Sequence, residues 1–104
     1  MVIKARRIIK IECDEKRDWF ALGDEPITGI LDRKANLYDQ LNSNGGGIFC
    51  IDKYELAECV AELKGMYEQG EINLDEFEQS GLVLLDMGQA IEQAGENYIE
   101  FLLW

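Results

Sequence analysis

The spacing of apolar residues changes along this chain, and that change is the strongest constraint on its fold. Apolar and polar residues alternate through residues 2–13, which predicts a half-buried β-strand. Residues 19–22 are apolar again and are predicted to return as the second arm of a hairpin. Two further apolar runs, 48–51 and 98–104, predict a short strand and a C-terminal strand.

The remaining segments repeat their apolar residues every three or four positions, which predicts helices. The first is expected to begin at Asp24 as its cap and to run to about Asn42. The second follows Asp52 and the third follows Asn73, since both residues stand three positions before a glutamate, as in a capping box. The pattern leaves open whether 74–94 is one helix or two. Its apolar face is predicted to comprise Leu74, Phe77, Gly81, Leu84, Leu85, Gly88 and Ile91.

The predicted order is therefore strand, strand, helix, strand, helix, helix, strand, in a single domain over residues 1–104. That order predicts the α+β class: a small, mostly antiparallel sheet with helices packed on one face. The final strand is apolar on both sides. A second copy of the chain, docked through the sheet or the terminal strand, is expected to cover the outer side, so a homodimer is predicted. The outer residues in question are Tyr98, Leu102 and Trp104.

Charge is divided unevenly along the chain, whose formal net charge is −11. The first eleven residues contain four cations and no acid, whereas Gly65–Trp104 contains nine carboxylates and no lysine or arginine. Binding to nucleic acid depends on a concentrated basic surface, so no direct nucleic-acid partner is expected. The acidic C-terminal half instead favours a partner with a basic surface.

Several chemistries are excluded or disfavoured by residue types. The chain has no histidine, which removes the Ser-His-Asp and Cys-His pairings and the commonest metal ligand. Its cysteines, Cys13, Cys50 and Cys59, are odd in number, form no C-x-x-C pair and lie in apolar surroundings. We interpret them as reduced structural thiols and predict a cytoplasmic protein with no membrane segment. No cofactor or metal site is predicted, and the triglycine at 45–47 lacks the residues of a phosphate loop.

These observations favour a small binding protein over an enzyme. Its partner is expected to be a protein with a basic surface, as for an inhibitor, an immunity protein or an adaptor. The predicted contact surface lies where the acids have no neighbouring cation in the sequence. It comprises Glu68, Glu71, Asp75, Glu76 and Glu78.

Two alternatives belong to other classes. The first is a small-molecule sensor that binds a cationic or amphipathic ligand in an aromatic and acidic pocket, since carboxylates and aromatic faces both attract cations. Its predicted residues are Trp19, Tyr98, Glu100 and Trp104. The second is a hydrolase that uses carboxylates alone, for which Glu55 and Glu58 have helical spacing. Glu100 is alternatively expected to pair with Lys4, Arg6 or Arg7 on a neighbouring strand.

Overall fold

A computed structural model describes residues 4–9, 12–13, 18–42 and 46–103, with side chains for 4–5, 18–42 and 46–103. It shows a small α+β fold in which helices cover one face of an antiparallel sheet, as the sequence predicts. The elements are β1 Lys4–Ile9, β2 Glu12–Cys13, β3 Phe20–Ala21, α1 Ile27–Ala35, a 3-10 helix Tyr38–Gln40, β4 Gly47–Asp52, α2 Lys53–Glu68, α3 Leu74–Ala94 and β5 Tyr98–Leu103.

The C-terminal strand β5 lies in the middle of the sheet, in the order β2-β1-β5-β4. It is antiparallel to both neighbours, with Arg6 opposite Leu102 on one side and Phe49 opposite Phe101 on the other. Both edges of β5 are therefore occupied. Strand β3 pairs with β1 on the edge that β2 also uses, because Ala5 faces Phe20 on one side and Leu103 on the other.

The prediction of one continuous strand over 2–13 is wrong, although the prediction that 19–22 returns against it is correct. The segment forms two antiparallel strands, with Ile8 opposite Cys13 and Ile9 opposite Glu12. Alternation cannot distinguish these arrangements, because a strand that reverses direction keeps its period of two. The expected polar connection at 14–17 lies outside the described residues.

The first helix is shorter than predicted and is not capped by Asp24. Its N-cap position is Pro26, while the Asp24 carboxylate accepts a hydrogen bond from the Ala21 N–H at 2.9 Å. The helix stops at Ala35 because Asn36 adopts a left-handed conformation, with φ of 57°, that closes the last turn. The predicted helix was too long because the apolar spacing continues past Ala35. Leu37 lies outside the helix but is still fully buried.

Capping boxes start the other two helices, as predicted. The Asp52 side chain accepts from the Glu55 N–H at 2.7 Å, and the Asn73 side chain accepts from the Glu76 N–H at 2.8 Å. Helix α3 is one continuous helix with no break at Ser80–Gly81. The Asn73 capping box also closes the turn that joins α2 to α3.

The core lies between the sheet and the helices and is centred on aromatic rings. Phe101 is fully buried and contacts Trp19, Phe20 and Phe49, with ring centroids 5.4, 5.5 and 6.2 Å away. These contacts join β5 to β4 and to the segment that contains β3. They identify the inner face of the sheet, on which Ile51 and Ile99 are also buried.

The side-chain amide of Gln40 forms hydrogen bonds with the backbone of the edge strand β4, as a neighbouring strand would. The Gln40 amide donates to the Cys50 carbonyl at 3.2 Å and accepts from the Cys50 N–H at 2.9 Å. It also donates to the Ala35 carbonyl at 2.7 Å. An exposed strand edge is a template for pairing with another chain, so this contact closes part of the edge.

Candidate interaction surfaces

The five predicted contact acids lie together at one end of the α2–α3 hairpin. Glu68 is the last residue of α2, Glu71 lies in the turn, and the other three lie in the first two turns of α3. All are exposed except Glu76, which is half-buried. We call this set, Glu68, Glu71, Asp75, Glu76 and Glu78, the acidic end.

Two members of the acidic end also have structural contacts. The Glu76 carboxylate accepts from the Asn73 N–H at 3.1 Å and completes the capping box. Asp75 accepts from the Gln79 side-chain amide at 3.0 Å. Both acids also lie at the N-terminus of α3, where the helix dipole favours negative charge. Their positions are therefore fixed from within the helix.

No cation in the described part of the chain forms an ion pair with the acidic end. Lys4 pairs with Asp18 at 3.3 Å, and Arg33 pairs with Glu62 at 2.7 Å. The hydrogen bond that Arg33 donates to the Glu62 carboxylate is the main cause that raises the pKa of Arg33, and Glu71 adds a smaller electrostatic contribution. The side chains of Arg6 and Arg7 lie outside the described residues, so their predicted pairing with Glu100 stays a prediction.

The predicted ligand pocket is divided between the two faces of the sheet. Trp19 is buried against Phe101 on the inner face. Tyr98 and Glu100 alternate with buried residues of β5 and therefore project from the outer face, where Tyr98 is 44% exposed. Trp104 lies outside the described residues. The described chain thus brings Tyr98 and Glu100 together and separates both from Trp19.

Trp19 instead borders a cavity of about 350 Å³ between α3 and the segment that joins β3 to α1. Two carboxylates reach it: Asp24, which accepts from Ala21, and Glu25, which accepts from the Thr28 hydroxyl at 3.2 Å. Sequence reasoning missed them because it interpreted Asp24 as a helix cap. Their position shortly after Trp19 in the sequence could have indicated that they lie near its ring. The lining is Trp19, Phe20, Gly23, Asp24, Glu25, Ile27, Gln79, Ser80 and Val83.

A second feature missed from the sequence is an apolar groove on the solvent side of the α2–α3 hairpin. It consists of two adjoining cavities of about 280 and 370 Å³ that share Val60, Leu84 and Leu85. The predicted apolar face of α3 placed Leu85 with the core, yet Leu85 is 55% exposed and Leu82 is 60% exposed. The reason is that Leu84, Met87 and Ile91 already form the buried side of α3.

Glycines form the floor of this groove. Gly81 borders the first cavity and Gly88 the second, and Leu85 stands between them. A Cβ atom at Gly81 would lie 3.8 Å from the Leu63 side chain, and one at Gly88 would lie 3.5 Å from the Leu56 side chain. Both are ordinary van der Waals distances, so packing within this chain does not require glycine at either position.

The thiols whose side chains are described are unreactive in this environment. Cys59 is fully buried, and burial raises the pKa of its thiol to about 12. Burial, followed by the charge of Glu100, also raises the pKa of the half-buried Cys50. Both thiols therefore stay protonated near neutral pH and are poor nucleophiles.

The described residues contain no group of three or more cysteine or acidic side chains arranged to hold a metal ion. None of their helices is long and apolar enough to cross a membrane.

Replacing the groove glycines by alanine is expected to stabilise the fold. Glycine in a helix interior costs about 0.5–1 kcal/mol relative to alanine, so Gly81→Ala and Gly88→Ala should each raise the free energy of unfolding by about that amount. Urea denaturation measures the change. Gly95→Ala is the matched control of opposite sign, because Gly95 has φ of +68° and alanine is strained there. A loss of stability in G81A or G88A would show that packing does need these glycines.

Comparison with known proteins supplies no family for this chain. No protein-family model matches it, and neither does any curated protein or solved structure. Its function must therefore be argued from the surfaces described above.

Proposed function

We propose that this chain is a small acidic binding protein, not an enzyme, that acts through a protein partner with a basic surface. The observation that carries the proposal is the acidic end, where five carboxylates meet with no ion pair to a described cation. An inhibitor, an immunity protein or an adaptor would use such a surface in the same way.

The placement of these acids supports the proposal electrostatically. Acids that gather without ion pairs create a negative potential, which speeds the approach of positive surfaces and selects them over others. The acids lie on two helix ends joined by a short turn that a capping box holds in place. Little ordering of the backbone is therefore needed when a partner binds.

The available side chains also argue for binding rather than catalysis. Histidine is absent from the whole sequence, and the thiols of Cys50 and Cys59 have raised pKa values. General acid–base work near neutral pH requires a group that titrates there. The residues of the carboxylate-only alternative, Glu55 and Glu58, have separate environments: Glu55 completes a capping box, and Glu58 is exposed.

Neutralising the acidic end should weaken binding to basic proteins. The variant E68Q/E71Q removes two exposed acids that have no capping role, and D39N/E96Q removes two exposed acids elsewhere. Both variants and the wild type would be immobilised and exposed to lysate of the native host at rising KCl. We expect the wild type and D39N/E96Q to retain the same basic proteins, which salt releases, and E68Q/E71Q to retain several-fold less. Equal retention by all three, or retention insensitive to salt, would contradict the proposal.

We further propose that two copies of the chain associate through the outer face of the sheet. Pairing through the edge of β5 is not possible, since β1 and β4 occupy both edges. The face of the sheet remains accessible: Ile48 is 51% exposed beside the half-buried Leu102, and Tyr98, on the same face at the other end of β5, is 44% exposed.

Light scattering on the purified protein tests this dimer. We expect the mass of two chains for the wild type and of one chain for Ile48→Lys, because a charge at the centre of the interface would be buried without a partner. Leu82→Lys is the matched control, since Leu82 is equally exposed but lies on α3. A monomeric wild type at about 100 μM would refute the dimer.

A second function is favoured by the cavity beside Trp19. We propose that it binds a small cationic or amphipathic compound, because it combines an aromatic wall with the carboxylates of Asp24 and Glu25. This site replaces the predicted grouping of Trp19 with Tyr98 and Glu100, which the sheet separates.

Tryptophan fluorescence tests the cavity directly. The chain has two tryptophans, so Trp104→Phe leaves Trp19 as the only tryptophan, which excitation at about 295 nm selects over the tyrosines. Phenethylamine should change the Trp19 emission with saturation, whereas the neutral 2-phenylethanol should bind less tightly. Glu25→Gln should reduce the difference between the two compounds. An emission that neither compound changes, or that both change equally, would count against a cation site.

A further inference from the structure

We infer that the apolar groove between α2 and α3 binds an amphipathic helix of a basic partner protein. This inference rests on the proposed function and specifies which structural element of the partner makes the apolar contact. The groove lies on the same hairpin whose end carries the acidic residues.

The shape of the groove matches the side-chain spacing of a helix. Gly81 and Gly88 are seven residues apart, so the two hollows lie about 10.5 Å apart along α3 at 1.5 Å per residue. Apolar residues at positions i and i+7 of a docked helix have the same separation. Residues i+3 and i+4 would then pack on either side of Leu85.

An extended peptide fits this surface less well. Peptides that bind as added strands need an open row of backbone N–H and C=O groups. In the middle of two helices those groups are already bonded within each helix, so the groove offers side-chain contacts only. A helix satisfies its own backbone and can present a purely apolar stripe.

The groove glycines support a binding role because the fold does not need them. Alanine would fit at Gly81 and Gly88 at ordinary contact distances and would be the better helix former. The effect of glycine here is to keep both hollows open. Leu85 remains exposed beside them, and a bound partner would cover this apolar side chain.

Charge distinguishes a basic helix from a second copy of this chain. Helices α2 and α3 together carry nine carboxylates and two lysines. Of these charged residues only Lys53, Lys64 and Glu92 line the groove. The charge argument therefore concerns the hairpin as a whole, whose excess of carboxylates attracts a helix rich in lysine and arginine and repels a second copy of the same hairpin.

The charges that border the groove also orient the partner. Lys53 and Lys64 line its α2 side, and Glu92 lines its α3 side. The basic residues of the partner helix should therefore face α3.

A designed peptide provides the test. We would use a fluorescently labelled 18-residue helix with leucines at i, i+3, i+7, i+10 and i+14 and lysines along one flank, and measure binding by anisotropy. Gly81→Leu with Gly88→Leu fills both hollows and should weaken binding by about tenfold or more. Gly65→Leu is the matched control, since a Cβ there meets no atom within 4 Å and Gly65 borders neither cavity of the groove. It should change binding less than twofold.

Charge variants give changes of opposite sign. Glu92→Lys should weaken binding of the lysine peptide by about threefold at low salt, whereas Lys53→Glu with Lys64→Glu should strengthen it by a similar factor. A peptide with glutamates in place of the lysines should reverse both effects. Circular dichroism confirms that each variant is folded, and the smaller change G81A/G88A serves if the leucine variant is not.

Three outcomes would overturn the inference: equal binding by G81L/G88L and the wild type, equal binding of the lysine and glutamate peptides, or a dimer that G81L/G88L dissociates. The last would identify a second copy as the occupant. The proposed function is tested separately, by the capture experiment with E68Q/E71Q. If those acids control capture of basic proteins while G81L/G88L has no effect on the peptide, the acidic end is the binding site and the groove is not.

Discussion

The contact between Phe101 and the rings of Trp19, Phe20 and Phe49 is the interaction on which the rest of the structure depends. It joins the central strand β5 to β4 on one side and to the β3 segment on the other. Large aromatic side chains contribute much of the burial energy in a core of this size. Because the rings all lie on one face, the helices must pack on that face as well.

This arrangement explains why the candidate surfaces lie on the helical hairpin. The sheet and the inner sides of α2 and α3 take up most of the buried apolar residues, so charged residues are left at the ends and outer sides of the helices. Acids at the start of α3 also stabilise that helix. The acidic end thus meets a local structural need and leaves negative charge exposed at the end of the hairpin.

The groove shows that an apolar stripe in the sequence of a helix does not by itself identify which residues are buried. Gly81, Leu85 and Gly88 fit a helical stripe, and a stripe by itself predicts burial. In the structure Leu84 and Ile91 of the predicted face are buried together with Met87, whereas Leu85, the residue after Leu84, is exposed. A shift of one position is 100° of rotation, which moves a residue from the core to solvent. Only the position of the helix relative to the sheet decides between the two.

Much of the local structure could be predicted from single residues. The capping boxes at Asp52 and Asn73 placed the starts of α2 and α3, because the hydrogen bonds that begin a helix involve residues only three positions apart. The end of α1 was missed because it depends on the left-handed conformation of Asn36, which the apolar spacing does not report. The separate strand β2 was missed because alternation does not record the direction of the chain.

By itself, the sequence determined the α+β class, the starts of α2 and α3, the uneven charge and the absence of histidine chemistry. These properties follow from composition and from interactions between residues near one another in the chain. The tertiary structure alone decided that β5 is central, that Trp19 and Glu100 lie on opposite faces of the sheet, and that Leu85 is exposed. Each depends on contacts between residues far apart in the sequence, which local patterns do not specify.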